Sequence, residues 1–248
     1  MALQVAVVTL FPELVRGASE HGVLGRALAR GLAGIECVDP RQYASDAHRT
    51  VDDRPYGGGP GMVGTPAPWA AAIDAAVAQS PAGVPRIHLS AQGERFDQGV
   101  ARELAAMPGF VLVASRYEGL DQRLVDSRID RELSIGDFVL SGGEFAALAV
   151  IDAVVRLLPG ALGDERSSEQ ESFTEGRLDW PHYTRPLEWE GRAVPAVLAV
   201  VVVMLGIIEV ETVLAPVVVQ VVMLVEVDVL VAAVAVADGQ VYPQDHII

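Results

Sequence analysis

Ser134-Ile135-Gly136-Asp137-Phe138-Val139-Leu140-Ser141-Gly142-Gly143-Glu144 sets turn residues around a short apolar stretch and then opens an apolar helix. Gly136, Gly142 and Gly143 permit positive φ and let the backbone approach a flat ligand with no Cβ in the way. Glu144 stands where the helix begins, and the exposed N–H groups of a helix start favour negative charge. The pattern predicts a short strand over Phe138, Val139 and Leu140 and a helix from Glu144 to Leu158. Such a backbone serves equally as a cup for a small molecule or as a tight structural corner, and the stretch alone leaves both readings open.

Working outward, Gln4 to Leu10 is a continuous apolar run, as in a strand buried on both faces, and Phe11-Pro12 ends it. Further strands are expected at Ile35–Val38, Arg86–Leu89 and Phe110–Ala114. Helices are expected at Leu24–Arg30 (stopped by Gly31), Pro68–Gln79, Asp97–Ala106 and Asp121–Val125. Arg41 to Gly61 is polar, glycine-rich and aperiodic, so a long loop is expected; loops of that length are commonly functional or disordered. Strands alternating with helices predict an α/β fold with a mainly parallel sheet flanked by helices. Ligands on such sheets sit at the carboxyl ends of the strands, where the turns after Leu89, Ala114 and Ser134 fall.

The chain of 248 residues is 51% apolar, so it can bury a sizeable core. Its single cysteine, Cys37, excludes a disulfide framework and a multi-cysteine zinc site and suits a reducing, cytoplasmic setting. Cys37 lies in a strand-like run and reads as a buried, inert thiol. The Met1-Ala2-Leu3-Gln4 start lacks the basic opening of a signal peptide. A net charge of −15 excludes a generic, basic nucleic-acid binder. Every basic residue is arginine and the last is Arg192, so phosphate contacts must come from earlier in the chain. Beyond Ala193 the sequence turns valine-rich and acidic, with Pro195, Gly206, Glu209, Glu211, Pro216 and Gln220 interrupting any membrane span. Short buried strands or an aggregation-prone tail are the readings that remain for it.

Neither a GxGxxG nor a GxxxxGK[ST] motif is present. Tyr56-Gly57-Gly58-Gly59-Pro60-Gly61 reads as a flexible hinge or, less specifically, as a phosphate wrap. His48 and His182 have no partner at metal-ligand spacing, and no metal site is expected from them. Arg116-Tyr117-Glu118-Gly119 follows a strand and offers an aromatic face, a carboxylate and backbone groups to a ligand, or makes a solvated turn capped by Asp121. Arg156 lies near the end of an apolar helix, where a cation either complements the dipole or reaches an oxyanion. Ser167 to Phe173 sets acids and hydroxyls in a polar, proline-marked linker region.

Together, His48 through Met62, Arg116-Tyr117-Glu118-Gly119, Ser134 through Glu144 and Pro181-His182-Tyr183-Thr184-Arg185-Pro186 resemble the bacterial tRNA (guanine-N1)-methyltransferases of the TrmD type. The similarity runs in order from about Val5 to Val197. It implies a SPOUT-type, trefoil-knotted α/β fold working as a homodimer with a composite active site. It implies S-adenosylmethionine bound in the knot by Leu89, Ser90, Ser115, Tyr117, Glu118, Gly119, Ser134, Ile135, Gly136, Asp137, Phe138, Val139, Leu140, Gly142 and Gly143. The implied reaction is methylation of guanine N1 just 3′ of the tRNA anticodon, at position 37. Guanine N1 carries a proton at neutral pH, so a carboxylate should remove it and a cation should stabilise charge on O6. By family position these are Glu171 and Arg156, and Glu118 helps hold a magnesium ion.

The chain departs from the family pattern in four places. Glu171 stands for an aspartate, Ser115 for a glycine beside the cofactor, Ala91 for a proline, and the valine-rich tail for a basic helical domain that grips tRNA. The implied organisation is a cofactor-binding catalytic domain over 1–160, a linker over 161–186 carrying Glu171, and a divergent region over 187–248. An active tRNA methyltransferase is the leading expectation. The alternative is a dimeric S-adenosylmethionine-binding protein with weak or no tRNA methylation.

Overall fold

The structure, a computed structural model, describes residues 2–163, 172–173, 178, 180–196 and 198. It divides into two compact units, Met1–Asp179 and Trp180–Ile248. The first unit is built on a five-stranded sheet of β1 (Leu3–Thr9), β2 (Ala33–Val38), β5 (Arg86–Arg95), β6 (Gly109–Ala114) and β7 (Arg131–Ser134), in the order β2-β1-β6-β5-β7. Every neighbouring pair in it is parallel. Six helices flank it: α1 (Pro12–Ser19), α2 (Gly22–Ala29), α3 (Pro66–Gln79), α4 (Gln98–Ala105), α5 (Gln122–Arg128) and α6 (Glu144–Val155). A two-stranded ladder, β3 (Asp52–Asp53) with β4 (Val63–Gly64), closes the long loop, which also holds a short 3-10 turn at Pro40–Tyr43.

The alternation of side chains along a strand makes two cores. In β6, Phe110, Leu112 and Ala114 point into one apolar cluster and Val111 and Val113 into the other. In β1, Leu3, Val5 and Val7 join the first cluster and Ala6 and Val8 the second. The first is covered by α1, α2, α4 and α6, the second mainly by α3 and α5. A strand covered on both faces must be apolar at every position, which is why β6 is buried throughout.

The expected helices form, and so do all but one of the expected strands. Asp97 caps α4 by accepting from the Val100 N–H at 2.9 Å, and Gly31 at φ 70° follows α2. Four expectations are corrected. Pro12 does not merely end β1; it starts α1, because its fixed φ suits the first turn of a helix. β5 does not stop at Leu89: Leu89 and Glu94 both pair with Leu133, so Ser90 to Gly93 bulge out and the strand resumes to Arg95. No strand forms over Phe138, Val139 and Leu140, which are exposed and follow β7 only after Gly136 turns the chain at φ 149°. Gly142 and Gly143 do not adopt positive φ; they are required by close packing, as the site shows. Cys37 is half-buried, and desolvation pushes its thiol up to about 11, so it is unreactive at neutral pH.

In the second unit, β8 (Glu188–Trp189) pairs antiparallel with β9 (Arg192–Ala193) around Glu190 and Gly191, at φ 51° and 76°. Two successive left-handed residues are what a two-residue hairpin requires. The expectations for the valine-rich tail, for most of Ser167 to Phe173 and for Glu171 lie outside the described residues. Among the described residues no helix is long and apolar enough to cross a membrane.

Candidate functional site

The bulge of β5 and the carboxyl ends of β6 and β7 meet at a cleft of about 240 Å3. Its walls are the β5 bulge (Leu89, Ser90, Ala91, Gln92), the turn after β6 (Ser115, Arg116, Tyr117, Glu118, Gly119) and the segment after β7 (Ser134, Ile135, Gly136, Phe138, Val139, Leu140, Gly142, Gly143). His88, Leu133 and Ala146 complete it. Residues drawn from three distant stretches of sequence thus share one cavity, as they do wherever parallel strands end together. Asp137 is exposed and is not among the lining residues.

Close approach of backbones explains the paired glycines. The Gly143 N–H donates to the Ser115 carbonyl at 2.8 Å, and Arg116 bridges to Gly142. A Cβ on Gly143 would stand 2.8 Å from the Ala114 Cα, and one on Gly142 would stand 2.8 Å from the Arg116 side chain. Both glycines therefore let the start of α6 lie flush against the end of β6. Gly119, at φ 95°, has nothing within 4 Å of where a Cβ would stand.

A buried ionic network fixes this corner. Glu144 is fully buried; it accepts from the Thr9 hydroxyl at 3.0 Å and from the Arg116 Nε–H at 3.2 Å. The Arg116 guanidinium also stacks over Phe11, 4.1 Å from the ring centroid. A charge hidden from water is tolerated only with partners of this kind. The network ties the ends of β1 and β6 to the first turn of α6, and it leaves Tyr117, at φ 59°, projecting from a tight turn closed by the Gly119 N–H to the Arg116 carbonyl. The glycine-rich loop docks on the same turn: Glu118 N–H donates to the Met62 carbonyl at 3.0 Å and Gly64 N–H to the Gly119 carbonyl at 2.9 Å. Trp69 secures the loop's base through its indole N–H to the Val51 carbonyl.

Sequence reasoning missed one feature of the cleft floor. His88 is buried, with Nδ1 2.8 Å from Glu132 Oε1 and Nε2 2.8 Å from the Ser115 hydroxyl. Desolvation holds the imidazole below its ordinary 6.5, against the opposing pull of Glu132, so the ring is neutral at pH 7. The only trace in the sequence is a polar residue between Ile87 and Leu89 in an apolar strand; its partners lie 27 and 44 residues away.

Arg156 is not brought to the cleft. It caps the C-terminal end of α6, its N–H donating to the Asp152 and Val154 carbonyls, and the cleft borders the other end of that helix. Twelve residues separate the two ends, about 18 Å at 1.5 Å per residue. Among the described residues no cluster of three or more His, Cys, Asp or Glu side chains is placed to hold a metal ion.

Comparison with known proteins agrees with this architecture. The profile of the family described as tRNA (Guanine-1)-methyltransferase TrmD matches residues 3–201. The chain is 59% identical over 192 residues to the tRNA (guanine-N(1)-)-methyltransferase of Methylococcus capsulatus, covering 77% of this chain and 76% of that protein. It is 54% identical over 194 residues to the enzyme of the same name from Aeromonas salmonicida, covering 78% of each. The crystal structure of tRNA (m1G37) methyltransferase from Aquifex aeolicus matches with a TM-score of 0.67 at 37% identity, over 80% of this chain and 83% of that one. A parallel α/β sheet with a cleft at its carboxyl edge and a family match over most of the sequence lead to one conclusion: the chain belongs to the tRNA (guanine-1)-methyltransferase TrmD family.

Proposed function

We propose that this chain transfers a methyl group from S-adenosylmethionine to N1 of guanine 37 of tRNA, in the cytoplasm, as a homodimer whose active sites are each shared between two subunits. The observation that carries the reading is the glycine-shaped cleft where the β5 bulge meets the ends of β6 and β7, within a chain of this family. The cleft's makeup fits that cofactor. Leu89, Leu133, Ile135 and Ala146 give apolar surface, Tyr117 and Phe138 give aromatic surface, and the turns supply backbone polar groups. Passage of the chain after β7 back against Ser115 and Arg116 supports a trefoil knot, with residues 135–143 threaded beside the turn after β6.

The methyl group comes from the sulfonium of the bound cofactor, already a good electrophile. The protein's task is to make guanine N1 nucleophilic. Glu171 removes the N1 proton, and Arg156 stabilises the negative charge that gathers on O6. Glu171 has one methylene more than aspartate and reaches about an ångström further, a displacement of the size that costs ~100-fold in rate when uncorrected. Residues 1–160 form the cofactor-binding catalytic domain, 161–186 a linker carrying Glu171, and 187–248 a divergent C-terminal region.

Sharing of the site between subunits is supported by α6, along which Arg156 lies ten residues, about 15 Å of helix, beyond Ala146 of the cleft wall. In a homodimer, Arg156 of one subunit serves the cleft of the other. Exposed apolar residues beside the cleft support a subunit contact there: Val139 is 92% exposed, Phe138 54% and Phe145 52%. Among the described residues Glu118 is the sole carboxylate of the cleft lining, so a magnesium ion held by it would take other ligands from water and substrate.

Methyl transfer to a tRNA transcript with guanine at position 37, against one with adenine there, tests the reading. Methylation of the first alone is expected. Equal background on both, with the cofactor still bound, would overturn it in favour of a silent binder. Glu171→Asp is expected to raise turnover, and Glu171→Gln to lower it by ~100-fold or more with cofactor affinity unchanged.

A further inference from the structure

The Glu132–His88–Ser115 chain reaches the cleft but has no part in the proton transfer above. We propose that it makes the Ser115 oxygen a dedicated hydrogen-bond acceptor that reads a donor group, amine or hydroxyl, on the ligand in the cleft; this rests on the cleft being the S-adenosylmethionine site.

A carboxylate accepts and does not donate, so the 2.8 Å contact of Glu132 places the ring hydrogen on Nδ1 of His88. Nε2 of the neutral ring is then a bare lone pair and must accept the hydroxyl hydrogen of Ser115 across its 2.8 Å contact. With its one hydrogen committed to His88, the Ser115 oxygen keeps only lone pairs for anything else. Ser115 and His88 both line the cleft, and Ser115 is only 7% exposed, so little water competes for those lone pairs. A buried acceptor left unmatched is costly, so this point of the cleft favours ligands that bring a donor to it and disfavours those that do not. His88 and Glu132 act through Ser115 and are positioning residues. The same order of groups can activate a serine nucleophile, but the hydroxyl here sits sunk at the end of β6 beneath a cleft lined by turns.

Calorimetry with S-adenosylhomocysteine and with 5′-methylthioadenosine, which lacks the amino-acid portion, tests this on the full chain. Ser115→Ala should bind S-adenosylhomocysteine about 3- to 10-fold more weakly than wild type. An equal loss for methylthioadenosine puts the donor on the nucleoside; a loss confined to S-adenosylhomocysteine puts it on the amino-acid group. Long-range 1H–15N NMR of His88 should show the Nδ1–H tautomer, with Nε2 shifting when ligand binds and losing that response in Ser115→Ala. Thermal melting verifies that the variant is folded, and Ser115→Gly provides a second truncation. Three results would overturn the proposal: wild-type affinity in both truncations, an Nε2–H tautomer, or covalent labelling of Ser115 by a fluorophosphonate. If the wild type binds neither compound, the cofactor reading itself fails and this one falls with it. Binding that ignores Ser115 removes only the acceptor role.

Discussion

The two ends of α6 differ in how they are held. At the first turn, Glu144 is sealed from water between Thr9 and Arg116, and Gly143 lies against Ala114 with no room for a side chain. At the last turn, Arg156 is half-exposed and its backbone N–H completes the helix. The first end is a precise mould and tolerates little change; the second presents a charged group on a rigid rod. If the cleft holds the cofactor and Arg156 acts on the substrate, as proposed, substitutions at the two ends should fail in different ways.

The largest effect is expected at the mould. Glu144→Ala removes one partner of a buried ion pair and should lower unfolding stability by about 3 to 5 kcal/mol, read from urea denaturation. A loss below 1 kcal/mol would mean that Arg116 and Thr9 find other partners. If Arg156 acts on the substrate as proposed, Arg156→Ala should leave cofactor affinity near wild type while raising the barrier to methyl transfer by about 2.7 to 4 kcal/mol, seen in single-turnover rates. Loss of affinity in that variant would blur the distinction between the two ends. Gly143→Ala forces a Cβ to within 2.8 Å of Ala114 and should cost about 1 to 3 kcal/mol, measured as a drop in melting temperature along with weakened cofactor binding.

The smallest effects concern pH. His88 has a folded-state pKa lowered by burial, so below about 6.5 the unfolded chain binds a proton that the folded chain refuses. Its contribution to stability therefore falls as pH drops from 6.5 toward the folded value, and His88→Gln should remove that part of the slope in pH-dependent denaturation. On the edge of the sheet, away from both ends of α6, the hydrogen-bonded Arg86 guanidinium holds the Asp130 carboxyl below its usual range. Asp130→Asn should cost at most about 1 kcal/mol, because the pair is partly exposed. The cost is fully present above the unfolded aspartate value and vanishes as pH falls through the folded one.

The parts of the fold legible in the sequence are those where burial dictates residue type. β6 is free of polar side chains and β1 is apolar from Val5 to Val8 because helices cover both faces, and Asp97 and Gly31 mark helix ends by local chemistry alone. Two misreadings share a cause. Phe138, Val139 and Leu140 are as apolar as a strand, but apolarity does not supply a hydrogen-bonding neighbour, and here it marks a surface at the cleft's rim. Pro12 signals both the end of a strand and the start of a helix, and only packing of Val15 into the core decides that α1 follows. The cleft's turns were readable because their glycines and polar residues sit after strands. The His88 relay was not, since three residues far apart in sequence form it only once β5, β6 and β7 lie side by side.

The shared active site is tested most directly by mixing two inactive dimers. Gly119→Val, which alters the cleft, and Arg156→Ala, which removes the distant cation, would be purified separately, then unfolded and refolded together. If the cleft of one subunit works with Arg156 of the other, each hybrid dimer holds one intact site, and the mixture recovers up to about a quarter of wild-type methyl transfer. A mixture as inactive as its parents, with hybrid dimers verified by mass spectrometry, would contradict the account.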